Sequence, residues 1–227
     1  MKVMVLSSGG VDSATALALA VSKYGKENVT ALSISYGQKH NKEIKAATDV
    51  AAYYNIEQIF LDLSKIFQYS NCSLLQQSTE KIPEKSYAEQ IKQTGGEKPV
   101  STYVPFRNGL FLSSAASIAL SKECDVIYYG VHADDAAGFA YPDCSAAFND
   151  AMNAAIWEGS GHQIKIEAPF VNIPKSAVVK IGLSLKVPYQ LTWSCYEGGD
   201  KPCGKCGTCI DRAAAFAANG VSDPALQ

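Results

Sequence analysis

The opening stretch KVMVLSSGGVDSATALALA limits what this chain can fold into more than any other segment. Val3 to Leu6 form an apolar run with the composition of a buried strand, and from near Ser13 an alanine- and leucine-rich segment has the pattern of a helix. Between them lie Ser7, Ser8, Gly9, Gly10 and Asp12. A strand that empties through adjacent glycines into a helix start is a phosphate-binding device. The backbone can turn and approach a ligand closely, hydroxyls donate, and the first N–H groups of the helix are unpaired.

The loop is not a Walker A sequence, since no Gly-Lys-Ser/Thr follows, and it is not GxGxxG. Asp12 would repel a phosphate unless a divalent cation lay between them. The hexapeptide Ser8-Gly9-Gly10-Val11-Asp12-Ser13 resembles the SGGxDS pyrophosphate loop of the N-type ATP pyrophosphatases, the PP-loop superfamily. Members cleave ATP between the α and β phosphates, adenylate a carbonyl oxygen or carboxylate, and hold the departing pyrophosphate in this loop. The resemblance implies ATP carried in with Mg2+. It also implies ATP contacts from Ser7, Ser8, Gly9, Gly10, Val11, Asp12, Ser13, Ala14, Thr15, Ala16 and Leu17, a catalytic part for Asp12 and Ser13, and backbone contacts to adenine from Leu32 to Ser35.

Beyond the loop, strand and helix patterns alternate. The first helix runs to about Tyr24 with Gly25 as its stop, Val29 to Tyr36 reads as a buried strand, a helix spans about Asn41 to Tyr54, and Glu57 to Leu63 reads as a third strand. This rhythm defines an α/β fold, a parallel sheet with right-handed crossovers and helices on both faces. From Ser64 to Thr102 the sequence is polar and rich in turn residues, with a short helix expected around Ser86 to Lys92. An insertion of this kind is expected to act as a mobile lid. Further along, a helix is expected to about Lys122, a strand over Asp125 to Val131, an irregular stretch from His132 to Cys144, a helix from Ser145 to Trp157, a strand from Lys165 to Phe170 and a helix from Pro174 to about Leu185. The expected organisation is one domain over 1–190, with 64–102 as its lid insertion, and a small C-terminal segment over 191–227.

That last segment is set apart by its cysteines. Of seven in the chain, Cys72, Cys124 and Cys144 are scattered, while Cys195, Cys203, Cys206 and Cys209 cluster near the C-terminus. An odd number without an export signal argues against a disulfide framework. Four thiolates separated by Gly204, Lys205, Gly207 and Thr208 can wrap a tetrahedral Zn2+ in a closed, structural knuckle; an Fe–S cluster is the competing occupant. The formal net charge of −2 gives no basic stripe for nucleic acid, and no apolar run reaches the length of about 18 residues needed for a membrane helix. A cytoplasmic protein with neither nucleic acid nor membrane as partner is expected.

The loop and the cysteine cluster, in this order, are joined by further matching segments: Tyr36-Gly37-Gln38-Lys39-His40 with Glu43, Ser101-Thr102, Val104-Pro105, Arg107-Asn108, Gly130-Val131, Tyr141-Pro142-Asp143-Cys144, Arg212, Ala215-Phe216 and Asp223-Pro224. Together they resemble the 7-cyano-7-deazaguanine (preQ0) synthases of queuosine biosynthesis over nearly the whole chain. The resemblance implies an adenine nucleotide α-hydrolase-like (Rossmann-like) fold, one structural Zn2+ per chain and a homodimer. It further implies an ATP-dependent ligase that takes 7-carboxy-7-deazaguanine and ammonia to the nitrile through adenylated acid and amide intermediates, releasing AMP and pyrophosphate. The chemistry of the residues agrees. Adenylating a carboxylate needs charge stabilisation and orientation more than a protein nucleophile, and the chain has no GxSxG elbow.

Arg107, expected at a helix start, is assigned with Asp12 and Ser13 to catalysis, meeting a phosphate or the substrate carboxylate. His132, Asp135, Tyr141 and Asp143 are assigned to the substrate, the two carboxylates as acceptors for the N–H groups of the amino-pyrimidinone. Loop solvation or helix capping is the plainer role for either carboxylate. Two departures from the family pattern stand near this pocket, Phe106 in place of glycine and a longer segment between Val131 and Tyr141. A PP-loop enzyme that thiolates tRNA, which would need a basic surface and a catalytic cysteine pair, and a zinc-knuckle nucleic-acid module with a degenerate loop are the competing readings.

Overall fold

The sheet grows from β1 (Val3–Leu6), whose Val3, Met4 and Val5 have no exposed surface. Strands apolar on consecutive residues belong to sheets covered on both faces, and that is what the computed structural model, describing residues 1–226, contains. With β2 (Val29–Ser35), β3 (Glu57–Asp62), β4 (Val126–Tyr128) and β5 (Lys165–Glu167) it forms a parallel sheet ordered β3-β2-β1-β4-β5. Val3 lies opposite Val29 on one side and Val126 on the other. The chain therefore builds outward from β1 in one direction, then crosses back and builds in the other. The C-terminal ends of β1 and β4 flank the topological switch point, the place where open α/β sheets leave a crevice for a ligand.

The helices are α1 (Val11–Tyr24), α2 (Lys42–Tyr54), α3 (Ser64–Phe67), α4 (Tyr87–Thr94), α5 (Arg107–Ser121), α6 (Ala133–Ala136), α7 (Ala146–Gly159), α8 (Lys175–Ser184) and α9 (Gly207–Ala217). Leu17, Val50, Phe170, Val178, Tyr189 and Phe216 join α1, α2, α8 and α9 on one face of the sheet. Leu112, Ala115, Ile127, Ile156 and Ile164 pack α5 and α7 on the other. Each fully buried leucine or isoleucine contributes roughly 1.5–3 kcal/mol.

Three expectations change. Helix α1 begins at Val11, ahead of the expected Ser13, so Asp12 lies inside its first turn. Strands β4 and β5 stop at Tyr128 and Glu167, short of Val131 and Phe170. The chain leaves the sheet after β4 to pass close to α1, where a Cβ on Gly130 would lie 2.7 Å from the Asp12 carbonyl. Residues 64–102 hold more structure than a polar lid suggests: α3, α4 with a Ser86/Glu89 capping box, and buried Phe67, Leu74, Leu75, Ile82 and Val100. Cys195, Cys206 and Cys209, which join Phe67, Leu74, Leu75 and Ile82 in a third cluster, come from the far end of the chain, so no local pattern announces it. Among the described residues, no helix is long and apolar enough to cross a membrane.

Candidate active site

At the end of β1, Ser7 N–H still donates to Leu32 O, and the chain then turns through Gly9 at φ +84°. A side chain there would strike the first turns of α2, 2.3 Å from Glu43 O, so glycine is required for both conformation and space. Ser8 Oγ and Ser13 Oγ lie 3.0 Å apart, and Gly10 N–H donates to Ser8 Oγ at 3.3 Å. Gly10 caps α1 without a side-chain hydrogen bond. Among the described residues, the N–H groups of Val11, Asp12 and Ser13 have no acceptor. Three unpaired donors at a helix N-terminus make an anion cradle.

Ser7, Ser8, Gly10, Asp12 and Ser13 line the crevice. Val11, Ala14, Thr15, Ala16 and Leu17 do not; their side chains are buried in the core, and Thr15 Oγ1 is engaged by Val11 O and Tyr189 OH at 2.8 Å each. Side-chain contact to ATP from these five is thus not what the fold offers, because one turn into α1 the helix faces the sheet.

Lys175 is the residue that sequence reasoning missed. It opens α8, and its Nζ donates to Asp12 Oδ2 at 2.6 Å and lies 3.3 Å from His132 Nε2. A cation at a helix N-terminus opposes the macrodipole, and that misplaced charge after Pro174 was the available signal. Burial works against both charges, yet Lys175 and His132 hold the Asp12 carboxyl below its ordinary value, and Asp12 with Asp135 holds the Lys175 ammonium above its own. Asp12 Oδ2 lies 3.7 Å from the same His132 Nε2. Among the described residues, neither His132 Nδ1 nor Asp12 Oδ1, both buried, has a partner. Asp135 Oδ1 lies 3.4 Å from His132 Nε2, and burial raises its carboxyl pKa.

The crevice also carries Arg107, at the start of α5, its guanidinium 5.2 Å from the Tyr36 ring and 5.9 Å from Phe111. Glu43, on the first turn of α2, faces the same space; burial pushes its carboxyl up to about 7 although Arg107 pulls the other way. Asp143 and Tyr141 do not line the crevice. Asp143 Oδ2 accepts the Asn108 N–H at 2.9 Å and so caps α5, the plainer of its two roles. Tyr141 OH is 2.6 Å from Thr102 Oγ1 in a buried pair. Phe106, at the N-cap of α5, has φ +53°, which explains why a glycine would sit there more easily.

The four cysteines meet. Cys195, Cys203, Cys206 and Cys209 have sulfurs all within 4.8 Å of one another. Tetrahedral Zn–S bonds of about 2.3 Å require sulfurs about 3.8 Å apart, so the set fits a single closed ion. Backbone N–H groups of Cys203 and Cys206 donate to Cys195 Sγ and Cys203 Sγ at 3.3 Å, and hydrogen bonds from Cys206, Cys209 and Cys203 draw the Cys195 thiol far below its ordinary value. The knuckle is tied to the phosphate loop: Trp193 N–H donates to Gly9 O at 2.9 Å, and Trp193 Nε1 and His40 Nε2 both bond Cys195 O. Thr208 and Asp211 of α9 line the crevice wall.

A parallel sheet whose switch point carries an SGGxDS loop on a helix N-terminus, beside a four-cysteine knuckle, defines a PP-loop α/β protein. Solved structures agree at the level of fold: the NMN synthetase of Francisella tularensis has a TM-score of 0.53 at 18% identity, covering 97% of this chain and 78% of that one. The U34-tRNA thiolase NcsA of Methanococcus maripaludis, with its [4Fe-4S] cluster, has a TM-score of 0.52 at 19% identity, covering 83% and 58%. Within that class the chain belongs to the family described as Queuosine biosynthesis protein QueC, whose profile matches residues 2–220. The 7-cyano-7-deazaguanine synthase of Archaeoglobus fulgidus is 40% identical over 227 residues, all of this chain and 90% of that protein. The enzyme of the same name from Caldicellulosiruptor saccharolyticus is 41% identical over 225 residues, 99% and 94%.

Proposed function

We propose that this protein is an ATP-dependent C–N ligase that converts 7-carboxy-7-deazaguanine and ammonia to 7-cyano-7-deazaguanine. The substrate carboxylate attacks the α phosphorus of ATP and pyrophosphate leaves; ammonia then displaces AMP and gives the amide. A second ATP adenylates the amide oxygen, and loss of AMP and the amide protons leaves the nitrile. The observation that carries this reading is the meeting of two helix N-termini, those of α1 and α8, with Lys175 at a crevice that also holds Arg107. The unpaired N–H groups of Val11 to Ser13 and the Lys175 ammonium suit a departing pyrophosphate, and Arg107 suits the carboxylate that attacks.

Asp12 Oδ1, buried and unpartnered, suits Mg2+ bound with ATP. That ion would neutralise charge on the phosphates. The four-cysteine set suits Zn2+ with all four positions taken by sulfur, a structural role without a catalytic water. Cys144 is the one cysteine lining the crevice, and burial raises its thiol well above the ordinary value, which disfavours thiol chemistry on tRNA. To the same reading belong a homodimer, a cytoplasmic location, no nucleic-acid partner, and a catalytic unit over 1–190 covered by 64–102 and followed by the metal segment 191–227.

The test is product analysis by mass spectrometry with 7-carboxy-7-deazaguanine, ATP, Mg2+ and ammonium. Nitrile, AMP and pyrophosphate should appear together and be lost in Asp12→Ala. AMP formed only with a different acid would overturn the assignment.

A further inference from the structure

The crevice holds charged side chains that the phosphate cradle does not use. Glu43 and Arg107 both line it, and among the described residues neither side chain has an ion-pair partner within 4.0 Å, including each other. Largely buried charges without partners are costly, and charges left unpaired on a cavity wall are satisfied by what enters. Gln38, 5% exposed, lines the same crevice. Its Oε1 accepts the Tyr36 N–H at 2.9 Å, which leaves its amide NH2 as the free donor. Tyr36, Phe111 and Tyr196 supply aromatic walls.

On the reading of this site as one for 7-carboxy-7-deazaguanine, on which the inference rests, we propose that Glu43 and Gln38 read the amino-pyrimidinone edge of the substrate while Arg107 holds its carboxylate. The edge offers a carbonyl acceptor, a ring N–H donor and an amino donor in a row. An amide NH2 beside a carboxylate presents the complement: donor, acceptor, acceptor. The carboxylate at position 7 lies at the opposite end of the bicycle from the amino group, so the two protein charges that meet it must not be paired with each other, and Glu43 and Arg107 are not. The adenine edge of ATP would set a ring-nitrogen lone pair against the Glu43 carboxylate, so the same residues keep adenine out of the acid's place. Of the two carboxylates that the sequence offered for this task, Asp143 is occupied by the Asn108 N–H, and Asp135 lies 3.4 Å from His132 Nε2 in the charged group around Lys175.

The experiment compares kcat/KM for 7-carboxy-7-deazaguanine with that for the analogue lacking the 2-amino group, read as AMP release, in the wild type, Glu43→Gln and Glu43→Ala. A site built to accept hydrogen bonds rejects a partner lacking the donor by about 100-fold or more. The wild type should show that preference, Glu43→Gln a reduced one, and Glu43→Ala a ratio within about 3-fold of unity, because nothing is left to reward the amino group. Loss of folded protein scales both substrates equally and leaves the ratio untouched. Variants that keep the wild-type ratio overturn the proposal, as does a wild type that turns over both acids equally well. A wild type that releases no AMP with either acid overturns the deazaguanine reading itself, and the proposal with it.

Discussion

Lys175 Nζ donates to Asp12 Oδ2 across 2.6 Å, fastening the first turn of α8 to the first turn of α1. The two side chains are only 13% and 22% exposed, so the pair is not a screened surface bridge. Lys175→Met should lower acid-dependent AMP release by about 10- to 100-fold, the worth of one charged hydrogen bond to a phosphate. Steady-state AMP release checks this, and an unchanged rate would remove Lys175 from the phosphate end.

The same pair has a pH signature. Asp12 is held below its ordinary value of 3.8, so its contribution to stability is present above that pH and is lost as pH falls through the depressed value. Lys175 is held above 10.5, so its contribution is full below that pH and disappears as pH rises through the elevated value. The difference in Tm between wild type and Asp12→Asn should shrink as pH falls below about 4 and again as it rises above about 10. Thermal melts across the range check it; a difference that persists unchanged at both extremes would contradict the assignment.

Asp143 caps α5 and so holds Arg107 at the crevice. Asp143→Ala should cost about 1–3 kcal/mol, since it leaves the buried Asn108 N–H unsatisfied. Urea unfolding measures this. Asp143 acting on substrate alone would instead leave stability unchanged.

Metal removal should reach the nucleotide site through Trp193 and Gly9. A chelator strong enough to strip the four cysteines should lower Tm by about 10 °C or more and weaken ATP binding in parallel. Metal analysis, melting and equilibrium ATP binding on one sample would test the link. Intact ATP affinity in metal-free protein would break it.

Phe106→Gly sets two effects against each other. It relieves a left-handed backbone at φ +53°, worth about 1–2 kcal/mol, and removes an edge-to-face contact with Phe148 at 5.8 Å, worth about 0.5–1.5 kcal/mol. Stability should therefore change by less than about 1 kcal/mol, as read by urea unfolding. A loss of several kcal/mol would mean that Phe106 anchors more than Phe148.

The strands, the major helices and the loop were legible because each rests on local pattern: consecutive apolar residues, glycines at a turn, prolines at a helix start. The cysteine cluster was legible from its spacing alone. Less legible were the ends of β4 and β5, which depend on where Gly130 must pass Asp12, and the order within 64–102, whose apolar residues pack on cysteines far along the chain. Within the site, Asp143 looked like a free acceptor until α5 was in place to need a cap, and Ala14 to Leu17 looked like part of the loop until α1 turned them inward.

By itself the sequence determined the class of sheet, the anion-binding loop on α1 and the four-thiolate knuckle, since backbone geometry and ligand spacing act over a few residues. Only the tertiary structure decided which charges meet and which are kept apart. Asp12 and Lys175 are 163 residues distant in the chain, and Glu43 and Arg107 come from different helices. Coulombic and hydrogen-bonding partners are set by distance in space, which the crossovers of the sheet fix and no local pattern records.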